Sequence, residues 1–481
     1  MRGRFLYCFS IWRPSFLAML LLLLAGCGWT QDDPVPKVNM PQSWALGVSR
    51  VTDTLKIDGV ADSWWREFGS VTLNDLQQTA LSYNDDLKAS VARLTQAEAQ
   101  LRMAGASFLP SLELKTSDQV AQGSSNTGRS SSSRVSAEGS GSQRSMRADL
   151  SASYEIDFWG RQAATQESAA AMRDVGGFDR DIVALTLTAD VATTYFKILT
   201  LKSRIDKIKE NRETALQIQR LVGQQVTYGK ALPMENLQQQ NIIANLDAQV
   251  AALELQYAQA LNALTLFSGK PQGELQRVTE VLTDINLPTI APGLPSDLLQ
   301  RRPDIRRAEA NLQAANADIR VARAALFPTV QLTGDRGYAS DSIKNLLTPE
   351  SILWSFGAAL TATIFDNGRT QGAIEVAEAK QSAWVAAYRQ TIMAALRDVD
   401  DSLAAVHWLQ DQAVAQETAL AMANESFRLA KVRHQAGAVD YLTVLDAQRT
   451  LLKAEDDLLQ TRQLRLNAAV GLFKALGGGL S

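Results

Sequence analysis

The hydrophobic pattern of this chain switches between two periods. From Met146 to Phe158 apolar residues hold every second position (Met146, Ala148, Leu150, Ala152, Tyr154, Ile156, Phe158), and Arg147, Asp149, Ser151, Ser153, Glu155 and Asp157 fill the gaps. That alternation predicts a strand with one apolar and one strongly polar face. Its partner begins at Pro110, where Leu112 and Leu114 alternate with Glu113 and Lys115, and the stretch AQGSSNTGRSSSSRVSAEGSGS between the two is a flexible Gly/Ser loop. Phe327–Tyr338 and Leu353–Asp366 predict a second hairpin. Outside these hairpins, at about 108–158 and 327–367, the period is helical. Leu246, Val250, Leu253, Tyr257, Ala260, Leu264 and Phe267 form a heptad seam, and Leu445, Leu452, Leu459, Leu466 and Phe473 recur every seven residues. No proline interrupts Gln162–Tyr228 or Gln371–Gln435. Each predicts a helix of roughly 100 Å at about 1.5 Å per residue. Helices of that length do not fit inside a compact domain.

The same succession of elements occurs twice. The phrase beginning at Asn84 matches the one beginning at Arg302, and AGASFLPSLELKT matches ARAALFPTVQLTG. Further on, DFWGR (Asp157 to Arg161) matches FDNGR (Phe365 to Arg369), Gly229 matches Gly437 and Leu237 matches Leu445. The offset is about 218 residues early and about 208 later, so the copies differ mainly in the first hairpin loop. Residues 60–268 and 304–470 are the two copies, with a connector at 269–303 and a terminal segment at 471–481.

Two strands per copy make four per chain, too few to close a barrel, for which about eight is the practical minimum. Open sheet edges cannot face lipid, because unpaired N–H and C=O groups there find no partner. A barrel must therefore be shared, and three chains would supply twelve strands around a water-filled lumen. Beyond the leader the chain lacks any 18-residue apolar run, which speaks against a spanning helix.

The first residues read as an address. Arg2, Arg4 and Arg13 precede the apolar run FLAMLLLLLA (Phe16 to Ala25), a signal-peptide core. Leu24-Ala25-Gly26-Cys27 resembles a bacterial lipobox, so residues 1–26 are the expected signal peptide and Cys27 the expected acylated N-terminus. Residues 27–59 then form a lipidated linker, polar and Pro-rich over TQDDPVPKVNMPQS. Gly28, rather than Asp, after the cysteine implies sorting to the outer membrane.

Composition narrows the chemistry. The 481 residues are 46% hydrophobic and 21% charged, a folded protein's balance. A net charge of -3 offers nothing to drive nucleic-acid binding. Two Cys and two His exclude a Cys/His zinc site and a disulfide framework. His407 and His434 stand on predicted helices with structural roles, and no HExxH, CxxC or nucleophile-elbow pattern occurs. The expectation is no enzyme, no metal and no cofactor beyond the lipid on Cys27.

Taken together, WWREFG (Trp64 to Gly69), RRPDIRRAEANL (Arg301 to Leu312), FDNGR, AGAVDYLTVLDAQRTLL (Ala436 to Leu452) and LFKALGGGL (Leu472 to Leu480) resemble the TolC family of outer-membrane efflux channels, in the lipoprotein branch that partners RND pumps. The resemblance implies an α+β membrane protein: a homotrimer whose 12-stranded outer-membrane β-barrel continues into a 12-helix periplasmic α-barrel, with segments at about 60–84, 269–303 and 471–481 forming an equatorial belt. It implies a passive conduit for substrates delivered by an inner-membrane RND-type pump and a periplasmic adaptor. A type I secretion duct and a periplasmic coiled-coil scaffold are the alternatives, the scaffold disfavoured by the amphipathic hairpins. The turns at Gly229, Lys230 and Ala231 and at Gly437, Ala438 and Val439 would contact the adaptor. Asp446 and Leu442 match the family's periplasmic constriction, Glu235 falls where the family often has an acid, and Arg449 is placed to pair with Asp446 three residues away. Thr443 stands where the TolC branch has Asp, a departure from a double acid ring.

Overall fold

The computed structural model describes residues 40–41, 43–44, 63–122, 143–229, 232–271, 279–290 and 293–478. The expected signal peptide at 1–26, Cys27, Lys230 and Ala231 lie outside the described residues. Each half of the chain runs from a short helical segment into a hairpin and then into two long helices. The first half contains α1 (Val71–Tyr83), α2 (Asp85–Ala106), β1 (Ser111–Ala121), β2 (Gln143–Ile156), α3 (Arg161–Thr227) and α4 (Pro233–Ser268). The second contains α5 (Pro303–Ala324), β3 (Thr329–Ser340), β4 (Ile352–Thr361), α6 (Arg369–Gln435) and α7 (Tyr441–Ala475). Both α3 and α6 have 67 residues, each about 100 Å long.

The strands form one antiparallel sheet in the order β1-β2-β3-β4, so the two hairpins pair with each other through β2 and β3. The register Leu114↔Leu150, Tyr154↔Leu332 and Leu332↔Ala358 carries the apolar face across all the strands. On the other face Ser151 stands opposite Glu113 and Asp335. Asp149 is buried there over Gly337, whose missing side chain leaves it room, and Arg147 bonds it at 2.8 Å. The outer edges of β1 and β4 have no strand partner among the described residues.

The sequence expectation runs the last strand on to Asp366, whereas β4 ends at Thr361. The reason lies in the Asp366 carboxylate, which accepts from the Thr370 N–H at 2.8 Å and the Gly368 N–H at 3.0 Å, turning the chain into α6. Asp157 does the same for α3 through the Ala163 N–H at 2.9 Å. The repeated DFWGR and FDNGR motifs are thus strand-to-helix corners, with Gly160 and Gly368 in the left-handed region. Beside the first corner Trp159 stacks on Phe327 at 4.6 Å and donates to the Pro328 carbonyl at 2.7 Å. Phe158 and Phe365, one in each corner, are exposed.

At the far end of each copy the same joint is made by different residues. Asn84 caps α2 through the Leu87 N–H at 2.9 Å and donates from Nδ2 to the Phe267 carbonyl at the end of α4. At the equivalent place Arg302 starts α5, donates from Nη1 to the Ala475 carbonyl at the end of α7 and pairs with Asp304 and Asp398. Gly269 and Gly477, at φ 66° and 96°, follow those carbonyls, and a Cβ on either would strike the backbone of Tyr83 or Arg301. Any other residue would open both joints, through the close approach and the left-handed backbone alike.

Between these joints lies the apolar core. Trp64 stacks on Phe473 at 5.2 Å, and Phe68 packs on Phe196 at 4.9 Å. One stretch of α3 is apolar and long enough to cross a membrane by length and composition, but more than half of it is buried inside this core, around Val191, Tyr195 and Ile198. The connector is tied down by charge. Arg462 donates to the carbonyls of Leu282, Thr283 and Ile285. Glu280 accepts from the Ser70 and Tyr195 hydroxyls and from the Thr72 N–H at the start of α1.

Burial raises the Glu280 pKa, but the bonds from Ser70, Tyr195 and Thr72 outweigh it and hold the carboxyl below its ordinary value. The unfolded chain therefore binds this proton more readily, so the bonds stabilise the fold above the ordinary Glu value of about 4.3 and fade as pH falls through the lowered value. Glu280→Gln should cost about 1 kcal/mol at neutral pH and flatten the loss of stability below pH ~4. Thermal unfolding between neutral and acid pH checks this, and parallel curves for the two proteins would refute it.

Candidate functional site at the helical tips

The long helices meet in pairs at two turns. The first turn leaves α3 through Gly229 at φ 70° and enters α4 at Pro233, a first helical position where the missing N–H costs nothing. In the second, Gly437 takes φ 72°, and its N–H and that of Ala438 bond the His434 and Arg433 carbonyls, each at 2.9 Å. This closes α6 with a Schellman pattern. The Val439 carbonyl faces Nδ1 of His434 at 3.2 Å. Asp440 then caps α7, accepting the Thr443 hydroxyl at 2.6 Å and the Thr443 N–H at 3.0 Å, and these bonds hold its carboxyl below the usual value. Thr443 is thereby committed to the cap.

Behind the turns α3, α4, α6 and α7 share a core containing Ile218, Val222, Ile242, Leu246, Ala430 and Val444. A polar link crosses it. The Tyr441 hydroxyl donates to Oε1 of Gln239 at 2.7 Å, and Nε2 of Gln239 donates to the Ala215 carbonyl at 2.9 Å. Both side chains are buried. Burial, with Glu235 nearby, pushes the Tyr441 pKa up, so the hydroxyl stays a donor. Further along, Arg204 bonds Asp456 at 2.5 Å and Lys207 bonds Glu455 at 3.2 Å, tying α3 to α7. Sequence reasoning missed these ties, although one signal was present. Extended backward by two steps, the α4 seam reaches Ile243 and then Gln239, and a polar residue on a heptad seam fixes register.

Leu442, Asp446 and Arg449 are exposed, and their spacing sets them on one stripe of α7, while Val444, Leu445, Gln448 and Leu451 face inward. Glu235 stands half-buried in the first turn of α4. Among the described residues no ion pair joins Asp446 to Arg449, contrary to the pairing expected from their spacing. Arg449 instead lines a cavity of about 230 Å³ together with Arg204, Lys207, Asn211, Glu455 and Asp456. Asp446 is exposed and has no ion-pair partner among the described residues.

Tyr441→Phe should cost about 1–3 kcal/mol, because it strands the Gln239 carbonyl in an apolar core. Adding Gln239→Leu should recover part of that loss, since both partners are then gone. Chemical unfolding of the single and double variants checks this, and strictly additive losses would show the two side chains to be uncoupled.

Comparison with known proteins fits this architecture. The family model for outer membrane efflux proteins matches residues 76–270 and 294–478. The chain is 37% identical to the pyoverdine export outer membrane protein OpmQ of Pseudomonas aeruginosa over 465 residues, 95% of each chain. It is 31% identical to the cation efflux system protein CusC of Escherichia coli, over 95% of this chain and 97% of that one. The crystal structure of the open-state MtrE outer membrane channel of Neisseria gonorrhoeae superposes with a TM-score of 0.82 at 27% identity, covering 93% of this chain and 98% of that one. With its duplicated hairpins and paired long helices, this chain belongs to the outer membrane efflux protein family, and its place is the outer membrane.

Proposed function

We propose that three copies of this chain form the outer-membrane channel of a tripartite efflux system. The observation that carries the reading is the amphipathic sheet with two open edges. β1 of one copy would pair with β4 of the next, closing twelve strands with the apolar face in lipid and the polar face around water. The four long helices of each copy would then continue the wall into the periplasm as a twelve-helix tunnel. The helical tips face the adaptor in this arrangement, and an inner-membrane RND-type pump supplies the energy. Pyoverdine and cations are named for the relatives' systems; here the channel passes what its pump delivers.

The exposed stripe Leu442, Asp446 and Arg449 supports an aperture at the tips, where threefold symmetry turns Asp446 into a ring of three carboxylates. Such a ring favours cations and attracts divalent ions. In a planar bilayer the channel should conduct, and Asp446→Asn should shift the reversal potential in a salt gradient toward neutrality and weaken divalent block. An inert bilayer would sink the conduit; unchanged selectivity and block would sink the aperture alone.

Cys27 is proposed as the acylated N-terminus. Trp44 is buried and donates to the Gly293 carbonyl at 2.9 Å, so the described chain enters through the connector. The stretch from Cys27 to Trp44 spans at most about 60 Å, more than the roughly 33 Å length of α2 that separates the connector from the strands. Palmitate should label the full-length chain and not Cys27→Ser; label retained in the variant would overturn the anchor.

A further inference from the structure

The apolar face of the sheet carries three charged side chains among the described strand residues, and they differ in their company. Asp118 and Arg144 stand at the hairpin end of β1 and β2, joined by two bonds of 2.6 and 3.0 Å. Arg336 stands deeper, opposite Leu150 on β2 and Trp354 on β4. It has no hydrogen bond or ion pair among the described residues. The adjacent acid, Asp335, points to the opposite face, where it accepts from Ser355 at 2.8 Å. Within the sheet, nothing supplies Arg336 with a countercharge.

Its depth matters. Along β3 the apolar face begins at Val330, next to the Trp159–Phe327 stack, and the strand ends at Ser340. Arg336 lies about 15 Å from that beginning, at ~3.3 Å per residue and a tilt of ~40°, within an apolar band of about 25 Å. It therefore sits in the half nearer the hairpin loops. A long arginine side chain reaches toward the interface from such a depth. Exposed Trp354 lies beside it, and Tyr338 is the next residue outward on the same face. Aromatic residues of this kind gather at headgroup level, and the planar guanidinium matches a phosphate through paired charge-assisted bonds.

We propose that Arg336, flanked by Trp354 and Tyr338, docks the phosphate of a phosphorylated lipid headgroup in the outer leaflet, one per copy. This rests on the barrel reading above. Both neighbours of β3 belong to its own chain, so closure through β1 and β4 leaves Arg336 facing lipid.

The test uses the purified full-length channel in detergent, incubated with a bis-phosphorylated glycolipid or with its dephosphorylated form bearing the same acyl chains. Bound lipid is counted by native mass spectrometry. Wild type should retain the phosphorylated lipid, and Arg336→Gln should lower its retention about tenfold. Arg336→Lys should keep a part, and Lys115→Gln, at an exposed position on the polar face, should change nothing. Equal retention by wild type and Arg336→Gln, or no preference for the phosphorylated form, overturns the proposal. Displacement of the lipid by millimolar inorganic phosphate would assign a free-anion site instead and also overturn it. Should Arg336→Gln fail to fold, the preference of wild type and Arg336→Lys for the phosphorylated form decides. Conductance of Arg336→Gln should match wild type; a wild type that does not conduct marks failure of the barrel reading instead.

Discussion

An unpaired backbone edge is the constraint on which the architecture turns. β1 and β4 each leave a row of N–H and C=O groups without a strand partner among the described residues, while the apolar face of the same sheet is built for hydrocarbon. Water cannot satisfy those edges inside a bilayer, and the chain has no further strand among its described residues to offer. Another copy is the economical partner, because its β1 and β4 carry the same alternation. The proposed trimeric conduit follows from that requirement, and the wall of long helices from the same duplication.

Helices of 67 residues need fastening at places far apart. Near the middle of the molecule the fastening is dense. Asn84 and Arg302 each bind the end of a long helix, Gly269 and Gly477 allow the backbones to touch, and Arg462 and Glu280 pin the connector. Behind the tips the fastening rests on a shared apolar core, on the buried tyrosine–glutamine link and on ion pairs from α3 to α4 and α7.

The duplication also shows how one geometry can be met by different chemistry. Asn84 reaches the Phe267 carbonyl with a neutral amide, and Arg302 reaches the Ala475 carbonyl with a guanidinium that needs Asp304 and Asp398 as countercharges. The glycines are kept in both copies because no side chain fits there, whereas the donor varies because only a hydrogen bond is required.

Much of this was written in local pattern. Period-2 alternation from Met146 and the proline-free stretches located strands and long helices, because each depends on neighbours a few residues away. The repeat aligned the two halves. Tertiary structure decided the rest. Asp366 leaves the strand because its carboxylate finds the start of α6. Asp446 and Arg449 form no ion pair although their spacing permits one, and Arg449 lines a cavity together with residues of α3. Gln239 and Tyr441 meet across about two hundred residues of sequence, and Arg336 is set among apolar neighbours by a register that strand pairing alone fixes. Such contacts depend on which helix or strand lies alongside, and the chain does not encode that choice within any short window.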